Sequence, residues 1–146
     1  ELLSEWGEKI QQIGGEFGAT TGRKRRCGWM DLPLLKYTVK ASNITSIALT
    51  KLDVLCGLED LKYCYAYNYE GREIDCAYPG IDLAKVEPLY RELKTFHDDF
   101  KTDQLSAPLK EYIQTIEDFI GIPVGILAYG PERSEIQFCK EYLHWN

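Results

Sequence analysis

Leu2, Leu3, Trp6, Ile10 and Ile13 recur at helical spacing, which predicts a helix opening the chain and ending at the paired Gly14-Gly15, where glycine supplies left-handed geometry. A glycine-rich loop, Gly18-Ala19-Thr20-Thr21-Gly22, follows. Asp31 is placed to cap a second helix with Pro33 in its first turn, and Leu34, Leu35, Thr38 and Val39 are expected to form its buried face. Ile44 to Leu49 is short and β-branched, the pattern of a buried strand, and it delivers Thr50-Lys51-Leu52-Asp53 at its carboxyl end, where open α/β sheets bind ligands.

From Leu61 to Tyr69 a two-faced strand is expected, with Leu61, Tyr63, Tyr65, Tyr67 and Tyr69 alternating against Lys62, Cys64, Ala66 and Asn68. Glu70-Gly71 then turns the chain into a hairpin partner, Arg72 to Ala77. Val86 to Phe96 fits helix and strand equally. Ser106 caps the clearest helix, carrying Leu109, Tyr112, Ile113, Ile116, Phe119 and Ile120 and closed by Gly121. After Pro123, Val124 to Leu127 reads as another buried strand with Ala128-Tyr129-Gly130-Pro131 turning the chain at its end. With no repeat or proline-rich linker, residues 1–146 are expected to form one compact α/β unit.

Composition narrows the classes of function. Of 146 residues 45% are hydrophobic and 27% charged, with no apolar run long enough to span a bilayer. The first residue is Glu1 rather than Met, so the chain reads as cut from something longer. Five cysteines, at 27, 56, 64, 76 and 139, are an odd number without a CxxC pair, which favours free thiols in the cytoplasm over disulfides or zinc. A net charge of −6 argues against a general nucleic-acid surface and leaves Arg23-Lys24-Arg25-Arg26 to be explained by a local ligand or ion pairs.

Two motifs carry chemistry. In Thr50-Lys51-Leu52-Asp53 a fixed carboxylate can accept from the ring N–H and exocyclic amine of guanine, while the lysine stem either lies along the base or braces the loop. The competing reading is a solvated strand end with an exposed ion pair. In Gly18 to Arg26, glycines allow tight turns, threonines add donors, and arginines clamp carboxylates or phosphates. This stretch lacks the GxxxxGK[ST] pattern of a phosphate-binding loop, and its competing reading is a basic patch for RNA or DNA.

The run from Gly15 to Trp29, followed by Leu49-Thr50-Lys51-Leu52-Asp53-Val54-Leu55 and the closing Gly130-Pro131-Glu132-Arg133, resembles the adenylosuccinate synthetase family over essentially the whole chain. The resemblance implies the C-terminal portion of a larger P-loop-NTPase-like sheet enzyme, of mixed strands with a β-hairpin and packing helices. It implies a GTP-dependent ligase that phosphorylates IMP and lets L-aspartate displace the phosphate, with Mg2+ in the complete enzyme, in the AMP branch of purine biosynthesis. A homodimer is expected for the complete protein.

By the same resemblance, Ala19, Thr20, Thr21, Gly22, Arg23, Lys24 and Arg25 form the aspartate loop, with Arg23 also reaching IMP and Arg25 reaching GTP. Lys51, Leu52 and Asp53 line the guanine pocket with Ala128, Tyr129 and Gly130. Relatives often read Ser-Thr-Gly at that last turn, so a hydroxyl is missing at Ala128 and bulk is added at Tyr129. Relatives often carry an acidic residue where this chain has Cys56, which gains no role from the resemblance. No catalytic residue and no metal ligand is inherited, and His97 and His144 are expected at ordinary surface or boundary positions. The isolated piece is therefore expected to be inactive. The alternatives are a stand-alone guanine-nucleotide module without catalysis and an RNA-binding piece.

Overall fold

The computed structural model describes residues 2–100 and 104–139. It is an α/β arrangement of two mixed sheets with packing helices and one tight hairpin. The first helix, α1 (Glu5–Ile13), stops at Gly14, and Gly15 takes the expected left-handed turn with φ of 60°. A two-residue strand, β1 (Met30–Asp31), leads directly into α2 (Leu32–Ala41). The Asp31 carboxylate accepts from the Leu34 amide at 3.0 Å, the anticipated N-cap. The buried face differs from expectation: Leu32, Pro33 and Val39 are buried, whereas Leu34 is 44% exposed and Thr38 is at the surface. Leu32 starts the helix, so it rotates the packed stripe away from Leu34; Thr38 turns its hydroxyl back onto the Leu34 carbonyl at 2.9 Å.

Strand β2 (Ile47–Leu49) is shorter than the apolar run that announced it, and Ala48 is exposed. It lies at the edge of the smaller sheet, in the order β2, β6 (Val124–Ala128), β7 (Ile136–Phe138). Strands β2 and β6 run parallel and β7 returns antiparallel. The short final strand had no counterpart in the sequence pattern. A four-residue helix, α3 (Leu52–Leu55), follows β2. In the larger sheet, β3 (Lys62–Tyr69) pairs with β1 in parallel and with β4 (Arg72–Ile74) and β5 (Val86–Glu92) antiparallel. Glu70 and Gly71 have φ of 50° and 81°, the two positive values that a two-residue hairpin turn requires. The segment that fitted both helix and strand is thus β5 as far as Glu92.

The alternation along β3 is interrupted. Cys64 faces Tyr90 and Ala66 faces Leu89, so Tyr65 is an extra residue, a β-bulge. Before the bulge Tyr63 points to the main core; after it Tyr67 joins Cys64 and Ala77 in a second cluster. Both faces of the strand are therefore buried, not one.

Helix α4 (Ala107–Ile120) begins at the Ser106 cap, whose hydroxyl accepts from the Leu109 amide at 3.4 Å, and ends at Gly121 with φ of 78°. Leu109, Tyr112, Ile116 and Ile120 bury one face against α2 and the smaller sheet. The main core gathers these with Leu32, Leu49, Leu52, Tyr63, Phe96, Val124 and Leu127, so one apolar cluster touches both sheets. Each such side chain contributes about 1.5–3 kcal/mol by leaving water. Parallel β2 and β6 are thereby held side by side, and the turns after them open at the same edge.

Candidate functional site

The turn after β2 begins with Thr50 and Lys51. Lys51 adopts a left-handed conformation, φ 64°, uncommon for a residue with a side chain. The kink starts α3 at once, leaving Asp53 exposed in its first turn and Leu52 with no exposed surface. The turn after β6 brings Ala128, Gly130 and Pro131 alongside. Together with Ile13, Gly14, Gly15 and Val54 these residues enclose a pocket of about 370 Å³. Ile13 and Val54 give it apolar walls, and Asp53 supplies the carboxylate.

Two residues expected in this pocket stand elsewhere. The Leu52 side chain belongs to the core, because the short helix needs an apolar anchor there, so only its backbone remains for a ligand. Tyr129 is stacked on Phe100 with ring centres 4.9 Å apart and planes 9° from parallel. Its bulk is absorbed by that stack and does not line the pocket. A side chain at Gly130 would displace the end of the Glu135 side chain, whose carboxylate accepts from the Glu132 amide at 2.8 Å in a reciprocal cap.

The glycine-rich loop is the tip of a narrow hairpin. Phe17 and Lys24 form an isolated antiparallel bridge, Gly18 donates to the Arg23 carbonyl at 2.8 Å, and Gly22 donates to Gly18 at 2.8 Å. The Thr21 hydroxyl accepts from the Arg23 amide at 3.3 Å. Ala19, Thr20, Thr21, Gly22, Arg23, Lys24 and Arg25 are all exposed. Donors and cations are thus displayed to solvent from a base pinned by the Arg25 amide to the Glu16 carbonyl at 3.0 Å and by Gln11, which donates to the Arg25 carbonyl at 2.9 Å.

Glu16 joins the two motifs. Its Oε2 lies 3.1 Å from Arg25 and its Oε1 lies 3.3 Å from Lys51 Nζ, which also donates to the Gly14 carbonyl at 2.8 Å. Of the two roles open to the lysine stem, this geometry shows the bracing one. Burial would raise the Glu16 carboxyl, but hydrogen bonds from Arg25 and Lys51 outweigh it and hold the group below its usual value. Glu16, Arg25 and Lys51 share the wall of a second pocket of about 320 Å³ with Arg26, Cys27 and Thr50. Sequence reading passed over Glu16; the signal was a single carboxylate just before a run of cations.

Cys56, for which no role was expected, has a structural one. Its sulfur lies 3.3 Å from both the amide and the carbonyl of Asp98, whose carboxylate accepts from Ser106. The extended segment entering α4 is tied down there. His97 is exposed, as expected, and His144 lies outside the described residues. Cys27, Cys56, Cys64 and Cys76 are thiols rather than disulfide halves. Among the described residues no group of three or more His, Cys, Asp or Glu is placed to hold a metal ion, and no helix is long and apolar enough to cross a membrane.

A pocket walled by turns at the carboxyl ends of neighbouring parallel strands, with a cationic hairpin beside it, defines the site as that of an open α/β sheet protein. The chain belongs to the adenylosuccinate synthetase family, whose family model matches residues 1–137. It is 57% identical over 145 residues to the adenylosuccinate synthetase of Francisella tularensis subsp. novicida, covering 98% of this chain and 34% of that protein. The enzyme of Francisella tularensis subsp. mediasiatica gives the same identity and coverage. Among solved structures, the fully ligated adenylosuccinate synthetase from Plasmodium falciparum superposes with a TM-score of 0.86 at 33% identity, covering 94% of this chain and 35% of that one. The chain thus spans about a third of the length of the curated relatives it matches.

Proposed function

We propose that this chain is the part of a GTP-dependent ligase that grips the guanine base and L-aspartate while the complete protein joins aspartate to IMP. The observation that carries the reading is the convergence of Lys51 and Asp53 after β2 with Ala128, the last residue of β6, and Gly130 beyond it on one pocket. Apolar walls suit the faces of a purine, and the exposed Asp53 carboxylate suits the paired donors of guanine, which adenine lacks. A charge-assisted hydrogen bond contributes about 1.5–3 kcal/mol, and a mismatched base would leave the carboxylate without its partner.

The hairpin suits a small dicarboxylate. Its exposed amides, the Thr20 and Thr21 side chains and the guanidinium of Arg23 present donors to two carboxylates without needing to move the sheet. Arg23 would also approach IMP, and Arg25, at the hairpin base, would approach GTP. The phosphorylated IMP oxygen becomes a competent leaving group, and the residues here orient the amine donor instead of moving protons. Among the described residues no group of three or more His, Cys, Asp or Glu is placed to hold Mg2+, and the Glu16 carboxylate is engaged by two cations. Magnesium belongs with the GTP phosphates in the complete enzyme, through ligands outside this chain, and no step here runs through it.

The complete enzyme is proposed to act in the cytoplasm as a homodimer, in the AMP branch of purine biosynthesis. The stand-alone nucleotide module gains no support, because the matched relatives are synthetases in which this segment is 34% of the length. The reading is tested by assaying the full-length protein for adenylosuccinate formation with IMP, aspartate and either GTP or ATP. GTP-dependent product is expected, and its absence would overturn the reading.

A further inference from the structure

The purine pocket and the anion hairpin are not independent. They meet at Glu16, whose two carboxylate oxygens are divided between them, 3.1 Å to Arg25 at the hairpin base and 3.3 Å to Lys51 at the pocket rim. The Glu16 side chain is 22% exposed, while Arg25 and Lys51 are 59% and 55% exposed. The carboxylate is therefore the most sheltered member of the three. Its backbone is anchored too: the Glu16 amide donates to Gln11 of α1 at 2.8 Å and its carbonyl accepts from Arg25. Lys51 has a second anchor in the Gly14 carbonyl, and all three residues line one pocket, which also includes Thr50 and Val54 of the purine pocket.

We propose that Glu16 is a positioning residue that couples the two subsites, so that filling the purine pocket tightens the hairpin's grip on aspartate. The inference rests on the functional reading above. A nucleotide seated against Asp53 confines Lys51; a confined Lys51 fixes one oxygen of Glu16, and the other oxygen then holds the Arg25 end of the hairpin in place. The second ligand meets a hairpin already ordered at its base and pays less of the ordering cost. Without the carboxylate, two cations in one pocket repel and the subsites act separately. Coupling between binding sites is reciprocal, so aspartate must tighten nucleotide binding by the same factor.

The test uses the full-length enzyme with IMP, GDP and aspartate, a set that binds but cannot turn over. Calorimetric titration of aspartate with and without GDP, and of GDP with and without aspartate, gives the coupling factor in both directions. In the wild type a factor of about threefold to fivefold is expected, the scale of a partly exposed ion pair, shrinking as salt is raised. Glu16→Gln should bring it close to one, and Glu16→Asp should restore part of it, with the melting temperatures of the two variants similar. A factor that survives in Glu16→Gln, or that ignores salt in the wild type, overturns the coupling. Should Glu16→Gln fail to fold, the salt series and Glu16→Asp decide alone. A wild-type enzyme that makes no adenylosuccinate from GTP, IMP and aspartate overturns the functional reading, and the coupling with it; an active enzyme with uncoupled subsites overturns only the coupling.

Discussion

The Tyr67 hydroxyl donates to the Asp31 carboxylate, with 2.6 and 2.7 Å to its two oxygens, and the same carboxylate caps α2 through the Leu34 amide. One carboxylate thus locks β1, β3 and the start of a helix together. Tyr67→Phe should cost about 2 kcal/mol in urea unfolding, because a buried charge-assisted hydrogen bond is lost while Asp31 stays in place. Asp31→Asn should cost less than Asp31→Ala, which removes the cap as well.

Burial, then the hydrogen bond to Asp31 and its charge, push the Tyr67 phenol far above its ordinary value. Burial likewise raises Cys64 to about 11 and Tyr112 to about 12. The sign follows from the raised values: the unfolded chain loses these protons first. Their contribution is complete below the unfolded thiol and phenol values, near 9 and 10, and declines as pH rises beyond them. Stability measured from pH 8 to 11 should fall, and the fall should be shallower in Tyr67→Phe.

Asp53→Asn replaces an acceptor of two guanine donors by a group with one carbonyl and an unwanted amine. In the full-length enzyme the KM for GTP should rise at least about tenfold, and preference for GTP over ATP should shrink in parallel. Unchanged base preference would place guanine reading on some other residue.

Gly130→Ala pushes a methyl into the Glu135 carboxylate and breaks its cap on the Glu132 amide. A loss of about 1–2 kcal/mol is expected from the cap and the displaced side chain. The GTP KM should rise as well, since Gly130 lines the same pocket as Asp53.

Ser106→Ala removes both the α4 cap and the Ser106 hydroxyl bond to Asp98 at 2.7 Å. About 1–2 kcal/mol should be lost on chemical unfolding. Because the Asp98 backbone is held by Cys56, hydrogen exchange around 96–100 should rise in this variant before exchange inside α4 does.

Elements with local punctuation were legible in the sequence: the Gly14-Gly15 stop, the Asp31 and Ser106 caps, the Glu70-Gly71 turn and the Gly121 closure all stand where the residue types put them. What escaped depends on partners distant in the chain. β5 became a strand because β3 offered it a ladder, and β7 because β6 did. The exposed Leu34 and buried Leu32 follow from how α2 leans on α4, which periodicity within one helix does not carry. The turns that carry Asp53 and Gly130 were legible as polar punctuation after two apolar strands. The Leu52 and Tyr129 side chains turn elsewhere because neighbours in a motif need not share a direction. Glu16 was overlooked because its importance lies in two cations 9 and 35 positions away.

The bulge at Tyr65 makes strand β3 answer to two interiors at once, and this sets what length changes the gene can tolerate. Deleting Tyr65 would keep Cys64 opposite Tyr90, Ala66 opposite Leu89 and Tyr67 opposite Pro88, so the ladder would become regular and no side chain would change face. Tyr67 would stay with Cys64 and Ala77 and within reach of Asp31, whereas a residue lost beyond the bulge would turn the rest of the strand over. A single lost codon should therefore be commoner among viable variants at the bulge than at Tyr67 to Tyr69, where no extra residue absorbs the shift.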